Sequence, residues 1–194
     1  MMCGRFVLAS KNKIKNKYNF KIEENYNITP GSYILIIDNN FLALKIKWGY
    51  FPNWIKNLNI INARIESLFK KSVYKNSLRC IILADGYYEW KKENSIKQPY
   101  YFYLKDRLLY FAGIYNLNSG CCIITTKSQQ GLSHVHDRQP LILKENSIKD
   151  WLDFKYNSEF KISEPLCYHR VNKIVNSPSN NSKLNLRKYS SAKY

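Results

Sequence analysis

The sequence has no apolar run approaching the roughly 20 residues that a membrane span requires, and its N-terminus lacks the apolar segment of a secretory signal. A soluble, cytoplasmic protein with no membrane partner is the expectation. Acidic residues are scarce: 14 Asp and Glu stand against 31 Lys and Arg, a formal net charge of +17. Cysteine occurs five times, as Cys3, Cys80, Cys121, Cys122 and Cys167, with neither CxxC pairs nor zinc-finger spacing. That pattern gives no support to a disulfide framework or a structural zinc and reads as free thiols in a reducing compartment. There is no internal repeat and no linker-like stretch in the 194 residues, so one domain around one core is expected.

What is present is basic charge and aromatic rings. A net charge of +17 is the electrostatic footprint of a nucleic-acid binder. The chain is also generally rich in Lys, Asn, Ile and Tyr, so charge alone does not separate a nucleic-acid partner from a merely solvated basic surface. The 16 Tyr and 9 Phe fall mainly in short alternating runs that suit strands. The expected fold is α+β, a single domain built on a curved, partly barrel-like, mostly antiparallel sheet with a few short helices.

Along the chain, Ser10 to Tyr18 carries a weak helical signal, and Tyr33 to Asp38 and Phe41 to Lys47 flank Asn39-Asn40 as a hairpin. Trp48 to Asn59 reads as a loop. The spacing of Ile61, Ile65, Leu68, Phe69 and Val73 predicts an amphipathic helix with Asn62 and Arg64 at its mouth. Strands are expected at Arg79 to Ala84, Tyr87 to Lys91, Pro99 to Leu104, Leu108 to Tyr115 and Cys121 to Thr126, followed by a short helix capped by Ser147. The domain is expected to span residues 1–176, with the polar, Lys-rich residues 177–194 a frayed tail.

Taken singly, the candidate functional residues carry little. Cys3 reads as a small buried hydrophobe, Glu89 as part of a solvated strand face, Arg64 and Arg138 as surface charges, and Trp48 and Trp54 as core aromatics. His134-Val135-His136 places two imidazoles on one face of a strand, but no third ligand accompanies them, so no metal is expected.

Six ordered motifs change that reading: Cys3-Gly4-Arg5-Phe6, Asn27-Ile28-Thr29-Pro30-Gly31, Trp48-Gly49-Tyr50-Phe51-Pro52, Asn62-Ala63-Arg64-Ile65-Glu66, Ala84-Asp85-Gly86-Tyr87-Tyr88-Glu89-Trp90 and His136-Asp137-Arg138-Gln139-Pro140. Together, from Cys3 to about Val175, they resemble the SRAP family, the abasic-site processing proteins linked to the SOS response. The resemblance implies that Cys3 reacts with the ring-opened sugar of an abasic site in single-stranded DNA. A free α-amine forms an imine with the aldehyde, and the thiol of the same residue closes a thiazolidine with the advantage of intramolecularity. It further implies that Glu89 accepts a proton from the nucleophile, that His136 shuttles one as the sugar opens, and that Asn62 holds the sugar or the amine. Arg5, Arg64 and Arg138 become phosphate contacts, and Trp48, Trp54 and Pro30 supports for the flanking bases. No cofactor is expected, the expected form is a monomer, and slower strand cleavage and self-processing peptidase activity come with the resemblance.

The cysteine of that family stands directly after the initiator methionine, whereas Met1-Met2 precedes Cys3 here. Either Met2 is the start, or the leader is trimmed, or this copy is inactive. Two rival functions use the same residues: a non-catalytic single-strand binder, and a cysteine amidohydrolase or peptidase, which needs an oxyanion hole for which the sequence gives no sign.

Overall fold

The computed structural model describes residues 3–52, 58–94 and 96–189. The chain runs β1 (Arg5–Leu8), α1 (Lys11–Tyr18), β2 (Asn25–Ile28), β3 (Tyr33–Ile37), β4 (Ala43–Lys47), β5 (Asn62–Arg64), α2 (Ile65–Leu68) and β6 (Leu78–Ala84). It continues with β7 (Gly86–Glu93), β8 (Ile96–Tyr103), β9 (Leu109–Asn116), β10 (Gly120–Lys127), β11 (Arg138–Pro140), α3 (Ile148–Leu152) and β12 (Cys167–Arg170). One sheet has the order β12-β8-β7-β1-β2, the other β11-β10-β9-β6-β3-β4, with β5 pairing β10. The fold is α+β with two sheets and no closed barrel among the described residues.

The sheets pack face to face through Phe6 of β1, whose ring meets Trp48 at 5.2 Å and Phe111 of β9 at 6.1 Å. Alternation along β7 sends Tyr87 into this shared core, stacked on Phe102 at 5.0 Å. Tyr88 goes to the opposite face, with Val7, Tyr101, Val171 and Val175. Glu89, two residues beyond Tyr87, continues the core-facing row.

The Asp85-Gly86 step fixes where that row begins. Asp85 Oδ2 accepts the amides of Ala9 (2.6 Å) and Ser10 (2.9 Å), tying the end of β1 to the start of β7. At Gly86 a Cβ would lie 2.5 Å from the Phe102 carbonyl oxygen, so only glycine lets β7 approach β8 this closely. β1 and β7 then pair Arg5 with Tyr88 and Phe6 with Tyr87, which brings Cys3, just before β1, beside Glu89.

Three expectations are corrected. Residues 62–64 form a strand rather than the mouth of a long helix, because Asn62, Ala63 and Arg64 pair in parallel register with Ile123, Ile124 and Thr125. The helix that follows lasts four residues, and Phe69 is exposed. His134-Val135-His136 lies in a turn, not a strand: His134 rests against Tyr168 at 5.6 Å, and among the described residues no His, Cys, Asp and Glu group is placed to hold a metal. The tail is also packed as far as Tyr189. Asn27 Nδ2 donates to the carbonyls of Val175, Ser177 and Asn180, Asn185 is fully buried, and the Tyr189 amide donates to Arg170 O at 2.8 Å. Its polar composition offers little to bury, but captured carbonyls hold it, and Leu186 packs against the cluster of Val7, Tyr88 and Val175. Ser147 does precede α3, without a side-chain capping bond. No helix among the described residues is long and apolar enough to cross a membrane.

Candidate active site

Cys3 is fully buried, and its backbone N–H donates to Glu89 Oε1 at 2.5 Å. Its φ of 32° lies in the left-handed region, which a residue with a Cβ occupies at a cost. Burial, then the charge of Glu89, push the Cys3 thiol well above its ordinary range. The sulfur is therefore held as the neutral thiol, while the backbone nitrogen of the same residue contacts a carboxylate.

Glu89 is 3% exposed, and burial pushes its carboxyl up to about 7 despite the amides of Cys3 and Trp90 that it accepts. A buried carboxyl near neutrality can exchange a proton at the pH of the cell.

The same raised value makes stability depend on pH. The folded state holds the proton more tightly than an unfolded glutamate does, so the contribution of Glu89 is fully present below about 4.5 and is lost as pH rises through about 7. A shift of this size corresponds to about 3 kcal/mol. Urea unfolding at pH 4.5, 6 and 8 is expected to show the wild type losing stability relative to Glu89→Gln by that amount. Parallel stability curves for the two proteins would contradict the assignment.

Glu89 and His136 share a cleft of about 450 Å³ with Gly4, Arg5, Trp90 and Asn176, and Lys92 and Lys97 complete it. His136 Nδ1 accepts the Arg138 amide at 3.1 Å, which suits a neutral ring with its proton on Nε2. The same Nδ1 lies 3.0 Å from Asp137 Oδ1, a partner for the protonated ring. Arg5 donates through Nη1 to Asn27 Oδ1 (2.8 Å) and Val175 O (2.8 Å), and through Nη2 to Asn176 O (3.2 Å). Those bonds anchor it to the C-terminal segment as well as to β2.

The remaining predicted residues divide. Arg64 is exposed and Pro30 half-buried, both open to a ligand. Asn62 lines a separate depression of about 510 Å³ and is not among the residues lining the Glu89 cleft. Trp54 lies outside the described residues. Trp48 is fully buried, its Nε1 donating to Ile61 O at 3.0 Å, so it supports the core and presents no face to a base. Arg138, 7% exposed, spends its fork on Glu66 at 2.7 and 3.0 Å and on Thr125 O at 2.8 Å. It clamps β11 and β10 to α2, and a phosphate would first have to displace Glu66.

Sequence reasoning missed Trp90, Lys92, Lys97 and Asn176. Trp90 Nε1 donates to Asn176 Oδ1 at 2.8 Å. Lys92 and Lys97 stand directly opposite each other across the β7-β8 hairpin. Like charges at facing positions repel, and an anion between them relieves the repulsion. Their alternation with Trp90 was the available signal; nothing local marks Asn176, 86 residues from its partner. A larger cleft of about 660 Å³ lies elsewhere, but its Lys17 and Arg107 are paired with Glu145 and Glu164, and no cysteine or histidine is among the described residues that line it. Chemistry, not size, selects the Glu89 cleft.

The model of the family described as SOS response associated peptidase (SRAP) matches residues 2–178. The chain is 36% identical to the abasic site processing protein YoqW of Bacillus subtilis, across 93% of this chain and 97% of that one. It is 31% identical to the abasic site processing protein YedK of Escherichia coli, across 78% and 79%. A solved structure from Bacteroides thetaiotaomicron superimposes with a TM-score of 0.80 over 97% of this chain and 100% of that one; at 22% identity it speaks to the fold.

Proposed function

The chain belongs to the SOS response associated peptidase family, and from that premise we propose that it processes abasic sites in single-stranded DNA by capturing their aldehyde covalently at Cys3. The observation that carries this reading is the 2.5 Å contact between the Cys3 nitrogen and the buried Glu89 carboxylate.

With the α-amine of Cys3 exposed, Glu89 takes a proton from the ammonium and frees the nitrogen lone pair. The amine adds to the aldehyde and water leaves, giving an imine; His136 supplies the proton for that departure and is restored by the proton the nitrogen loses, while Glu89 releases its own to solvent. The Cys3 thiol then adds across the C=N bond. Sulfur bonds to carbon, and the thiol proton passes through Glu89 to nitrogen, so the product is one water lighter than its reactants. The neutral state of the buried thiol favours this order, amine before sulfur. Removing Met2 also abolishes the steric cost of the Cys3 φ, because a terminal amine has no preceding carbonyl.

Arg5, Lys92 and Lys97 supply positive charge for phosphate, and Trp90 an aromatic face. Exposed Arg64 is a further phosphate contact in this reading. Imine-driven strand cleavage is a side reaction of the same intermediate. The protein acts as a monomer, and self-processing is one route to the free amine.

Denaturing electrophoresis after incubation with abasic and intact oligonucleotides tests the reading. A shifted, heat-stable band is expected with the abasic strand alone. Binding of both strands without a stable band would favour the non-catalytic binder and refute covalent capture.

A further inference from the structure

Between α2 and the end of α3 lies another cleft, of about 500 Å³, to which Arg79 of β6 contributes. Lys70, Lys71 and Lys75 line it together with the rings of Phe69 and Phe154, and no carboxylate is among the described residues that do so.

Arg79 is unusual for a buried cation. It is 2% exposed, and its Nη1 donates to Trp151 O at 3.1 Å and Lys155 O at 2.6 Å. The guanidinium lies 4.3 Å from the Trp151 ring centroid, 5.2 Å from that of Phe69 and 5.1 Å from that of Phe154. Among the described ion pairs no Asp or Glu meets it. A buried charge with carbonyls and rings but no counter-ion is costly, and an arriving anion reduces that cost.

The two rings also call for an occupant. Phe154 has φ 62° just beyond α3, the left-handed position that usually falls to glycine. A phenylalanine there bears backbone strain, yet it leaves its side chain 54% exposed, and Phe69 is 65% exposed. Each ring has one face toward Arg79 and surface left for a ligand. The cleft shares Lys70, Lys71, Ser72 and Tyr74 with the depression that contains Asn62. The two depressions therefore adjoin, with Lys70 and Lys71 common to both.

We propose that this cleft binds the single-stranded DNA flanking the captured abasic site, its phosphates on Lys70, Lys71 and Lys75 and a base against Phe69 or Phe154. Clustered cations with open aromatic faces suit single strands of any sequence. The inference rests on the reading of single-stranded DNA as the ligand of the Cys3 site.

The test compares a 5-nucleotide with a 15-nucleotide abasic strand, measuring affinity across a salt series for wild type, the exposed double variant Lys70→Gln/Lys71→Gln, and Phe154→Gly, which suits the left-handed backbone. The wild type is expected to prefer the long strand. The double variant should lower the magnitude of the long strand's salt slope by about 1.4, two contacts at about 0.7 each, a loss of roughly twentyfold at 0.1 M salt. Phe154→Gly should weaken long-strand binding roughly tenfold with the slope kept, as loss of stacking predicts. If the wild type binds both lengths and the variants keep its preference and slope, this cleft is not the path, while capture at Cys3 stands. If the wild type binds neither strand, the parent reading fails and takes this one with it. If the double variant loses affinity for poly-glutamate but not for DNA, the partner is an acidic polypeptide and the proposal is overturned.

Discussion

Cys3→Ala, in a chain that begins at residue 3, is expected to lose the heat-stable adduct by at least roughly 100-fold, because ring closure depends on a thiol tethered to the same residue as the amine. The substitution leaves the α-amine and its Glu89 partner in place. An imine should therefore still form, visible as a labile adduct that borohydride traps. Affinity for the abasic strand should change little, since the charges of the cleft belong to Arg5, Lys92 and Lys97. The paired outcome is the diagnostic one: stable adduct gone, trappable imine kept. A variant that still gives a wild-type yield of heat-stable adduct would remove Cys3 from the mechanism.

Glu89→Gln has the second large effect. It keeps an oxygen that can accept from the Cys3 nitrogen but removes the proton acceptor, and loss of a positioned general base costs about 10² to 10⁴ in rate. The pH profile separates this role from simple damage to the site. In the wild type the adduct rate should rise with pH as Glu89 ionises. In the variant that rise should vanish, leaving only the limb set by the amine near 7.7 to 8.0. A slower variant with an unchanged profile would mean that Glu89 only packs the site.

How much of this was legible in the sequence depends on the range of the interaction. The β3-β4 hairpin and strands β6 to β10 were readable because alternating side chains and turn residues act locally. Asp85-Gly86 was visible as part of a motif, and the fold explains it: one residue ties β1 to β7, the other permits close contact with β8. Cys3, Glu89 and His136 were named through motif order, and the fold brings Cys3 to Glu89 and places Glu89 and His136 in one cleft. Apart from the turn at His134-Val135-His136, the misreadings are long-range. A helical spacing after Ile61 was overridden by edge pairing with β10. Arg138 carried the fork expected of a phosphate ligand, but its partner Glu66 is 72 residues away. Trp48 and the tail were misjudged because the atoms that bury or bond them come from distant segments.

The central claim is that the amine of Cys3 does the chemistry, and one comparison tests it most directly. Protein beginning at Cys3 and protein in which Met2 remains joined to Cys3 are incubated with the same abasic strand and followed by intact-mass spectrometry and heating. An amide nitrogen has its lone pair in resonance and forms no imine. The chain beginning at Cys3 should yield a heat-resistant adduct one water lighter than protein plus DNA, and the blocked chain at most a labile one. Equal rates and equal heat stability for the two would contradict the account and assign the bond to a thiol or lysine acting alone.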